Sequence, residues 1–496
     1  MRIRVRPPRE IRARRLFRVD RSFRARPPRV SRRVRAVAEA FGIGLDESQL
    51  FTVFREFEID VEPGQLVLVL GESGAGKSVL LRALAGEMAG LEEFRPVAEA
   101  SRIRARRGVP IVDTLGRDFS EALEKLSLAG LNEAYLFLRS YEELSEGQKY
   151  RYRLARLMDS GAKTWVVDEF TSILDRTTAR VVAYCLQRAA RRVGATVLAA
   201  TTHGDVEEDL NPDVVVRKGI GPQVSVEYRR PVRRECSLLR EAVIEPGSVR
   251  DYEALKHFHY LGPMPPFRRA IYRARVGEDL AGVIVYTAPH AYLSARFRAF
   301  PFLREMLRSG AKGYLEFVTK NFSRIARVIV HPKYRSIGLG VRLVRETMPT
   351  VGTTYVETLA VMARYNPFFE RAGMTRIDAP PPRDRFLEAA EALGVRIARG
   401  SLTTVLERLR RLPRSRLERL RGLCVRWLEG LREARLKSRA DLLERLRRRL
   451  DLEALARALS SGPLPTVYLV WRRPDADWAP PPASEAYHAA GEPRDR

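Results

Sequence analysis

Cysteine is nearly absent from this chain: Cys185, Cys236 and Cys424 are the only three in 496 residues, and they lie far apart. With no C-x-x-C spacing among them, neither a disulfide framework nor a thiolate zinc site organises the fold. Long apolar runs are missing too. None approaches the ~18 residues a bilayer span needs, and the arginine-rich beginning has no apolar stretch behind it, so neither a membrane helix nor a secretory signal is expected and a cytoplasmic location is. Acid is in short supply, with 61 Asp and Glu against 89 Lys and Arg and a formal charge of +28. A field of that size attracts RNA, DNA or a ribonucleoprotein surface whatever the fold. Lysine is scarce as well, ten against 79 arginines, a bias that arginine-rich coding also produces without any binding role.

What is present is organised around Leu66 to Ser78, Leu-Val-Leu-Val-Leu-Gly-Glu-Ser-Gly-Ala-Gly-Lys-Ser. Five apolar residues fit a buried strand, and Gly71 to Ser78 match the phosphate-loop pattern G-x-x-x-x-G-K-[ST], placed where a helix over Val79 to Leu84 begins. Gly71, Gly74 and Gly76 let the backbone, with Ser73 between them, curl its N–H groups toward a polyphosphate. Lys77 reaches the terminal phosphates, and the Ser78 hydroxyl sits where Mg²⁺ is held.

The length suits about three domains of ~150 residues each. Ahead of the phosphate loop, Arg-Pro-Pro-Arg occurs at Arg6 to Arg9 and again at Arg26 to Arg29, which suits a basic arm that orders on a phosphate backbone or a plain solvated extension. Phe54 to Val61 reads as a strand and Glu62-Pro63-Gly64 as a turn; Phe51 or Phe54 could stack on a base. Downstream, Leu144-Ser145-Glu146-Gly147-Gln148 precedes a helix. Thr164 to Val167 is an apolar strand ending in Asp168-Glu169, Ser172 to Asp175 follows, and Val197 to Thr202 is a buried strand ending at His203. At strand ends beside a phosphate loop, Asp168 can hold the Mg²⁺ shell, Glu169 can polarise a water, and His203 can reach a γ-phosphate.

In this order the set resembles the ABC-type ATPases, over roughly Phe51 to Val226. Walker A is Gly71 to Ser78, the signature Leu144 to Gln148, Walker B Val166 to Asp168 followed by Glu169, the D-loop Ser172 to Asp175, and the switch histidine His203. The resemblance implies ATP and Mg²⁺ as ligands, and a head-to-tail homodimer in which Ser145 and Gly147 of one copy close over the ATP of the other. Two departures stand out. No glutamine lies between Gln65 and Gln148, so the family's Q-loop residue has Asp113 as its nearest stand-in, and Glu146 replaces a signature glycine.

After Val226 the chain changes character. Cys236 to Ile244 reads as a strand, Val249 to His259 as a helix, and Ile271 to Val276 with Leu280 to Tyr286 as an antiparallel pair around Gly277. Ile325 to Val330 is a strand, and Arg335-Ser336-Ile337-Gly338-Leu339-Gly340 leads into a helix from Val341, leaving bare amides suited to a pyrophosphate. Thr354 to Val361 is another strand, followed by Asn366 to Met374. This stretch, roughly Cys236 to Ile377, resembles the GNAT acyltransferases. The resemblance implies acetyl-CoA held by Arg335, Gly338 and Gly340 at its pyrophosphate, by Val328 to Val330 along the pantetheine, and by Asn366. The family's tyrosine acid is replaced by Phe369, with Tyr365 about one helical turn away. Candidates for the base are Glu316, His259 and Glu357, because an amine nucleophile must lose a proton.

Beyond Pro380-Pro381-Pro382, leucines recur at three- and four-residue spacing from Leu417 to Leu431 and from Leu442 to Leu450 with arginines opposite. Thr466 to Trp471 reads as one more strand, and the Pro- and Ala-rich tail from Pro474 as disordered. The expected fold class is α/β: an ABC-type P-loop NTPase domain followed by an α+β GNAT acyltransferase domain with a helical basic C-terminal region. The boundaries are 1–45 for the arm, 46–230, 235–380, 383–472 and 473–496. The expected function is an ATPase fused to an acyltransferase that moves acetyl to an amine on RNA or an RNA-associated protein. The alternative is a nucleic-acid or ribonucleoprotein remodelling ATPase with a non-catalytic acetyl-CoA sensor or binding module.

Overall fold

The structure, a computed structural model, describes residues 16–24, 29–42, 44, 50–232, 234–259, 264–377, 392, 402–430, 439–460 and 466–476. The first Arg-Pro-Pro-Arg, most of the second, the Pro380 to Pro382 run and the tail beyond residue 476 lie outside the described residues. The chain divides into two compact units, residues 1–287 with 326–350, and residues 288–325 with 351–496.

In the first unit, β1 (Leu16–Arg24) pairs antiparallel with β2 (Leu50–Asp60). Six further strands form a second sheet: β3 (Leu66–Gly71), β4 (Val97–Glu99), β5 (Thr164–Val167), β6 (Thr196–Thr201), β7 (Val214–Lys218) and β8 (Val224–Tyr228), in the order β4-β5-β6-β3-β7-β8. All neighbours are parallel except β7 and β8. Parallel strands bury both faces, which is why β3, β5 and β6 read as continuous apolar runs. Leu66 and Leu68 face one core layer with Trp165, Leu186 and Ala199, while Val67 and Val69 face another with Leu80, Leu84 and Leu198. Because β5, β6 and β3 are neighbours, the loops after them leave the same sheet edge side by side, the crevice in which open parallel sheets bind ligands.

The expected strand from Cys236 is a short helix, Ser237–Glu241, and β9 (Ala242–Pro246) starts only after it. A buried carboxylate causes the difference. Asp209 accepts from the Ser237 amide at 2.8 Å and from its hydroxyl at 2.5 Å, which anchors the chain where a strand would have had to begin. From there β9, β10 (Arg268–Val276) and β11 (Asp279–Thr287) form an antiparallel meander. β12 (Phe322–Val330) runs through the boundary, its first four residues counted with the second unit and the rest with the first. It is followed, after Pro332–Tyr334, by the helix Leu339–Thr347.

In the second unit, the start of β12 pairs parallel with β13 (Tyr355–Ala360) over only Phe322↔Tyr355, Ser323↔Val356 and Arg324↔Glu357. The strand β15 (Val467–Arg472) lies between β13 and β14 (Thr375–Ile377), antiparallel to both. Four helices, Leu402–Arg410, Arg414–Gly430, Arg439–Arg448 and Leu452–Ser460, enclose a leucine-rich core of their own.

Candidate active site

The phosphate loop leaves β3 at Gly71 and enters the helix Lys77–Met88 through Gly76. Gly76 is left-handed at φ 95°, and a Cβ there would fall 2.3 Å from Val53 Cγ1, so the bend closes only on glycine. Gly71 is packed as tightly by β7: a Cβ would meet the Lys218 carbonyl oxygen at 2.2 Å. Ser73 and Gly74 are exposed, and Ser78 is half-buried on the first helical turn, where the amides have no intrahelical acceptor.

Lys77 Nζ donates to the Gly71 and Glu72 carbonyls at 2.8 and 2.6 Å, which holds the ammonium curled over its own loop. Burial lowers its pKa, opposed by the charges of Asp168 and Glu169. That coupling places the two acids of the β5 end within electrostatic reach of the loop. Asp168 follows β5 directly, and its carboxylate accepts from the Glu169 amide at 3.0 Å. Glu169 is left-handed at φ 49° and exposed, anchored by Phe170, whose amide donates to the Ala200 carbonyl of β6 at 2.6 Å. His203 follows β6, half-buried, with its amide on Thr201 Oγ1 at 3.2 Å.

The oxygen set suits a hard cation. Ser78 Oγ and the Asp168 carboxylate would hold Mg²⁺, and the exposed loop amides with Lys77 would hold a triphosphate. When bound, the ion supplies charge neutralisation at the phosphate oxygens. Glu169 is exposed at the end of β5 and His203 half-buried at the end of the neighbouring β6.

Two partners of this set were not anticipated from the sequence. Arg176, the first residue after Asp175, forks onto Asp205 through Nε at 2.8 Å and through Nη2, tying the D-loop to the turn that follows His203. Burial raises the Asp205 pKa and the Arg176 contacts more than offset it, leaving it lowered. An arginine just past a D-loop and an aspartate two residues past the switch histidine would have been the clue. Of the two aromatics expected to stack on a base, Phe54 is fully buried beside Phe57 with Lys218 over its ring, so only the exposed Phe51 is free to stack. Asp113 is exposed on the turn Ile111–Thr114.

Ser145 caps the helix Glu146–Asp159, its hydroxyl accepting from the Gln148 amide at 3.4 Å while the Gln148 side chain accepts from the Ser145 amide at 3.0 Å. Ser145 is exposed and Gly147 half-buried against Leu174, so the positive end of a 14-residue helix faces outward.

The second glycine bend behaves differently. Gly338 is left-handed at φ 105° and N-caps the helix Leu339–Thr347, with Gly340 in its first turn. Arg335 does not face outward. Its guanidinium donates to the Val330 carbonyl at 2.8 Å and to the Asn132 carbonyl, and burial lowers its pKa. Ser336 Oγ donates to the Ser127 carbonyl at 2.8 Å, and its own carbonyl accepts from Arg188 at 3.1 Å. A Cβ on Gly338 would meet the Leu239 side chain at 3.4 Å. Val328 and Val330 are half-buried and lie past the three-residue parallel ladder of β12.

The acid and base candidates differ in exposure. Phe369 is buried, Tyr365 half-buried and Asn366 exposed; Glu316 is exposed on the helix Ala311–Asn321, and His259 is half-buried after the turn Lys256–Phe258. Glu357 is enclosed: Arg296 forks onto it at 3.0 and 2.5 Å, and the Tyr468 hydroxyl donates to it at 2.9 Å. Among the described residues no group of three or more His, Cys, Asp or Glu is placed to hold a metal.

A parallel sheet carrying a phosphate loop, an acid pair and a histidine on adjacent strand ends defines a P-loop nucleoside triphosphatase. Residues 54–94 match the ABC transporter family model. The chain is 30% identical over 269 residues to the aliphatic sulfonates import ATP-binding protein SsuB 3 of Pseudomonas savastanoi pv. phaseolicola, an alignment covering 47% of this chain and 94% of that protein. It is 28% identical over 193 residues to the methionine import ATP-binding protein MetN 1 of Salmonella typhi, covering 32% and 55%. Among solved structures, the dimeric ATP-binding cassette MJ0796 bound to ADP and Pi is similar over 37% of this chain and 94% of that one, at 16% identity and a TM-score of 0.31. The chain belongs to the ABC transporter ATP-binding family, and its first unit carries an ATP-hydrolysing ABC ATPase.

Proposed function

We propose that this ATPase drives an acyltransferase: the second fold takes acetyl from acetyl-CoA and delivers it to an amine on RNA or on an RNA-associated protein, while two copies close head to tail over ATP through Ser145 and Gly147. The observation that carries the reading is the left-handed Gly338 bend between β12 and its helix. Such a bend presents amides to a diphosphate. With Arg335 donating to chain carbonyls, the amides around Gly338 and Gly340 carry the diphosphate contact and Arg335 holds the turn in place.

In the transfer the amine nitrogen attacks the thioester carbonyl carbon. The C–N bond forms, the C–S bond breaks, the nitrogen loses a proton to a base, and the thiolate leaves as free coenzyme after gaining one. Glu316 and His259 are the base candidates and Tyr365 the acid. Purified full-length protein given labelled acetyl-CoA, ATP and cellular RNA or ribosomes is expected to transfer label; no label in any fraction overturns the reading.

A second reading has its own support. Phe369 is buried where the acid is wanted, and a phenyl ring cannot protonate a thiolate. The second fold is then an acetyl-CoA sensor on a nucleic-acid-remodelling ATPase, and calorimetry finds coenzyme binding without transfer. The relatives are named for import. Among the described residues no helix is long and apolar enough to cross a membrane, so an import role requires a separate membrane partner.

A further inference from the structure

The arginines of the four-helix bundle fall into two populations. On its second half four cations are matched: Arg445 lies 2.9 Å from Asp451, Arg447 2.6 Å from Glu429 and Arg457 2.6 Å from Glu453, while Arg448 pairs with Glu444. Around the turn joining Leu402–Arg410 to Arg414–Gly430 six are not. Arg410, Arg411, Arg414, Arg416, Arg419 and Arg426 are all exposed, and among the described residues none makes an ion pair or a side-chain hydrogen bond. Near them Glu418 is already taken by Arg421 at 2.7 Å, and Glu407 makes no ion pair. Arg449 is a further unmatched cation, at the far end of the third helix. A coding bias multiplies arginines without regard to neighbours. Here the unmatched arginines gather around one turn of the bundle, with only Arg421 among the helix-two cations near it taken by an acid, Glu418.

Helical geometry arranges that charge. At about 100° per residue, Leu417, Leu420, Cys424 and Leu428 form the buried stripe, Arg419 and Arg426 lie nearly opposite it, and Arg416 lies to one side. With a rise of about 1.5 Å per residue, Arg416 to Arg426 spans ~15 Å. Phosphates recur about every 3.4 Å of axis along each strand of a duplex, so a surface of that length meets several backbone charges. What the surface lacks narrows the partner. In the described part of 402–476 no large apolar side chain is fully exposed and Trp427 is half-buried, so the surface offers neither an open aromatic platform for unstacked single-strand bases nor an apolar edge to enter a bilayer. What remains is planar, weakly hydrated guanidinium, which suits phosphate oxygens.

We infer that the turn between Leu402–Arg410 and Arg414–Gly430 is a docking surface for the sugar-phosphate backbone of a double-helical nucleic acid, gripped without reading its bases. The inference deepens the nucleic-acid side of the proposed function and does not depend on acyl transfer. The test uses the full chain without ATP or coenzyme and a short fluorescein-labelled RNA duplex of mixed sequence, with the DNA duplex of the same sequence as a second arm. Polarisation is read between about 50 and 200 mM salt. Replacing Arg414, Arg416 and Arg419 by Gln is expected to weaken binding at least tenfold and to lower the salt slope by about three. The charge-matched control replaces Arg447, Arg448 and Arg457 by Gln; these form surface pairs worth little to stability, and this variant is expected to bind as wild type does. Equal weakening by both variants, no weakening by the first, or binding to phosphatidylserine vesicles in place of either duplex overturns the inference. Duplex binding without acetyl transfer leaves it standing and sinks only the acyltransferase reading; transfer without duplex binding does the reverse.

Discussion

The carboxylate of Asp175, in the D-loop of the ATPase, lies 3.6 Å from the ammonium of Lys333, which precedes the Gly338 bend. The same carboxylate caps the helix Arg176–Val193, accepting from the Thr178 amide at 3.1 Å and its hydroxyl at 2.7 Å. One acid thus ties the loop after β5 to the turn that precedes the Gly338 bend. Burial raises the Asp175 pKa, but Thr178 and Lys333 more than offset it and hold it below its ordinary value. A depressed carboxylate contributes in full above its unfolded pKa of about 3.9 and loses that contribution only as pH falls further, so the link is intact throughout the neutral range. Both partners are about half exposed, and Lys333→Ala is expected to change stability by less than about 1 kcal/mol. Hydrogen exchange of residues 331–340 should respond to ATP in the wild type and lose that response in Lys333→Ala. An unchanged response would show that the pair transmits nothing.

The nucleotide site makes a two-part prediction. Lys77→Ala removes the ammonium that the loop carbonyls hold in place and is expected to abolish ATP binding. Glu169→Gln keeps the size and polarity of the side chain and should leave binding intact, cut turnover by two or more orders of magnitude, and accumulate an ATP-bound dimer. Equilibrium binding, phosphate release and sedimentation measure the three quantities. Normal turnover in the Glu169 variant would remove that residue from the role of orienting water.

The ATPase half was legible because each of its parts is local. A run of apolar residues announces a parallel strand, and the candidate residues stand just past its end, so the positions of Gly71 to Ser78, Asp168, Glu169 and His203 at strand ends could be found by counting. What stayed hidden depends on partners far away in the chain. Arg335 meets the carbonyl of Asn132, 203 residues earlier, and no periodicity reports such a pairing. The short helix at Ser237 depends in the same way on Asp209, 28 residues back, and its alternation alone reads as strand. The charge of the helical region was visible as a count, but which arginines are matched by acids is a property of packing.

Arg176 and Asp205 should behave as positioning residues for His203. The fork joins two loops at adjacent strand ends and touches no position expected of substrate. Arg176→Ala is expected to lower kcat by between about 10 and 10² while leaving the KM for ATP within about twofold, since a small misplacement of a catalytic group costs rate more than binding. Arg176→Lys, which keeps the charge but not the bidentate geometry, should recover only part of the rate. Steady-state kinetics of the two variants decide the matter, and a rise in KM with kcat unchanged would assign the pair to nucleotide binding.

Glu357 offers the sharpest separation of structure from catalysis in the second unit. It was a candidate base by sequence, yet its side chain and that of Arg296 are 1% and 0% exposed, and Arg296 forks onto it while Tyr468 donates to the same carboxylate. Burial lowers the Arg296 pKa and the contact with Glu357 more than restores it, so the guanidinium is held charged and depends on the carboxylate for compensation. Glu357→Gln leaves that charge buried without its partner and is expected to cost about 3–5 kcal/mol. Replacing both, Arg296→Met with Glu357→Leu, removes the uncompensated charge and should recover most of the loss. Thermal unfolding of the single and double variants tests this directly. A Glu357→Gln protein as stable as wild type but unable to transfer acetyl would return Glu357 to the reaction, whereas a double variant that regains both stability and transfer would fix its role as the buried counter-ion of Arg296.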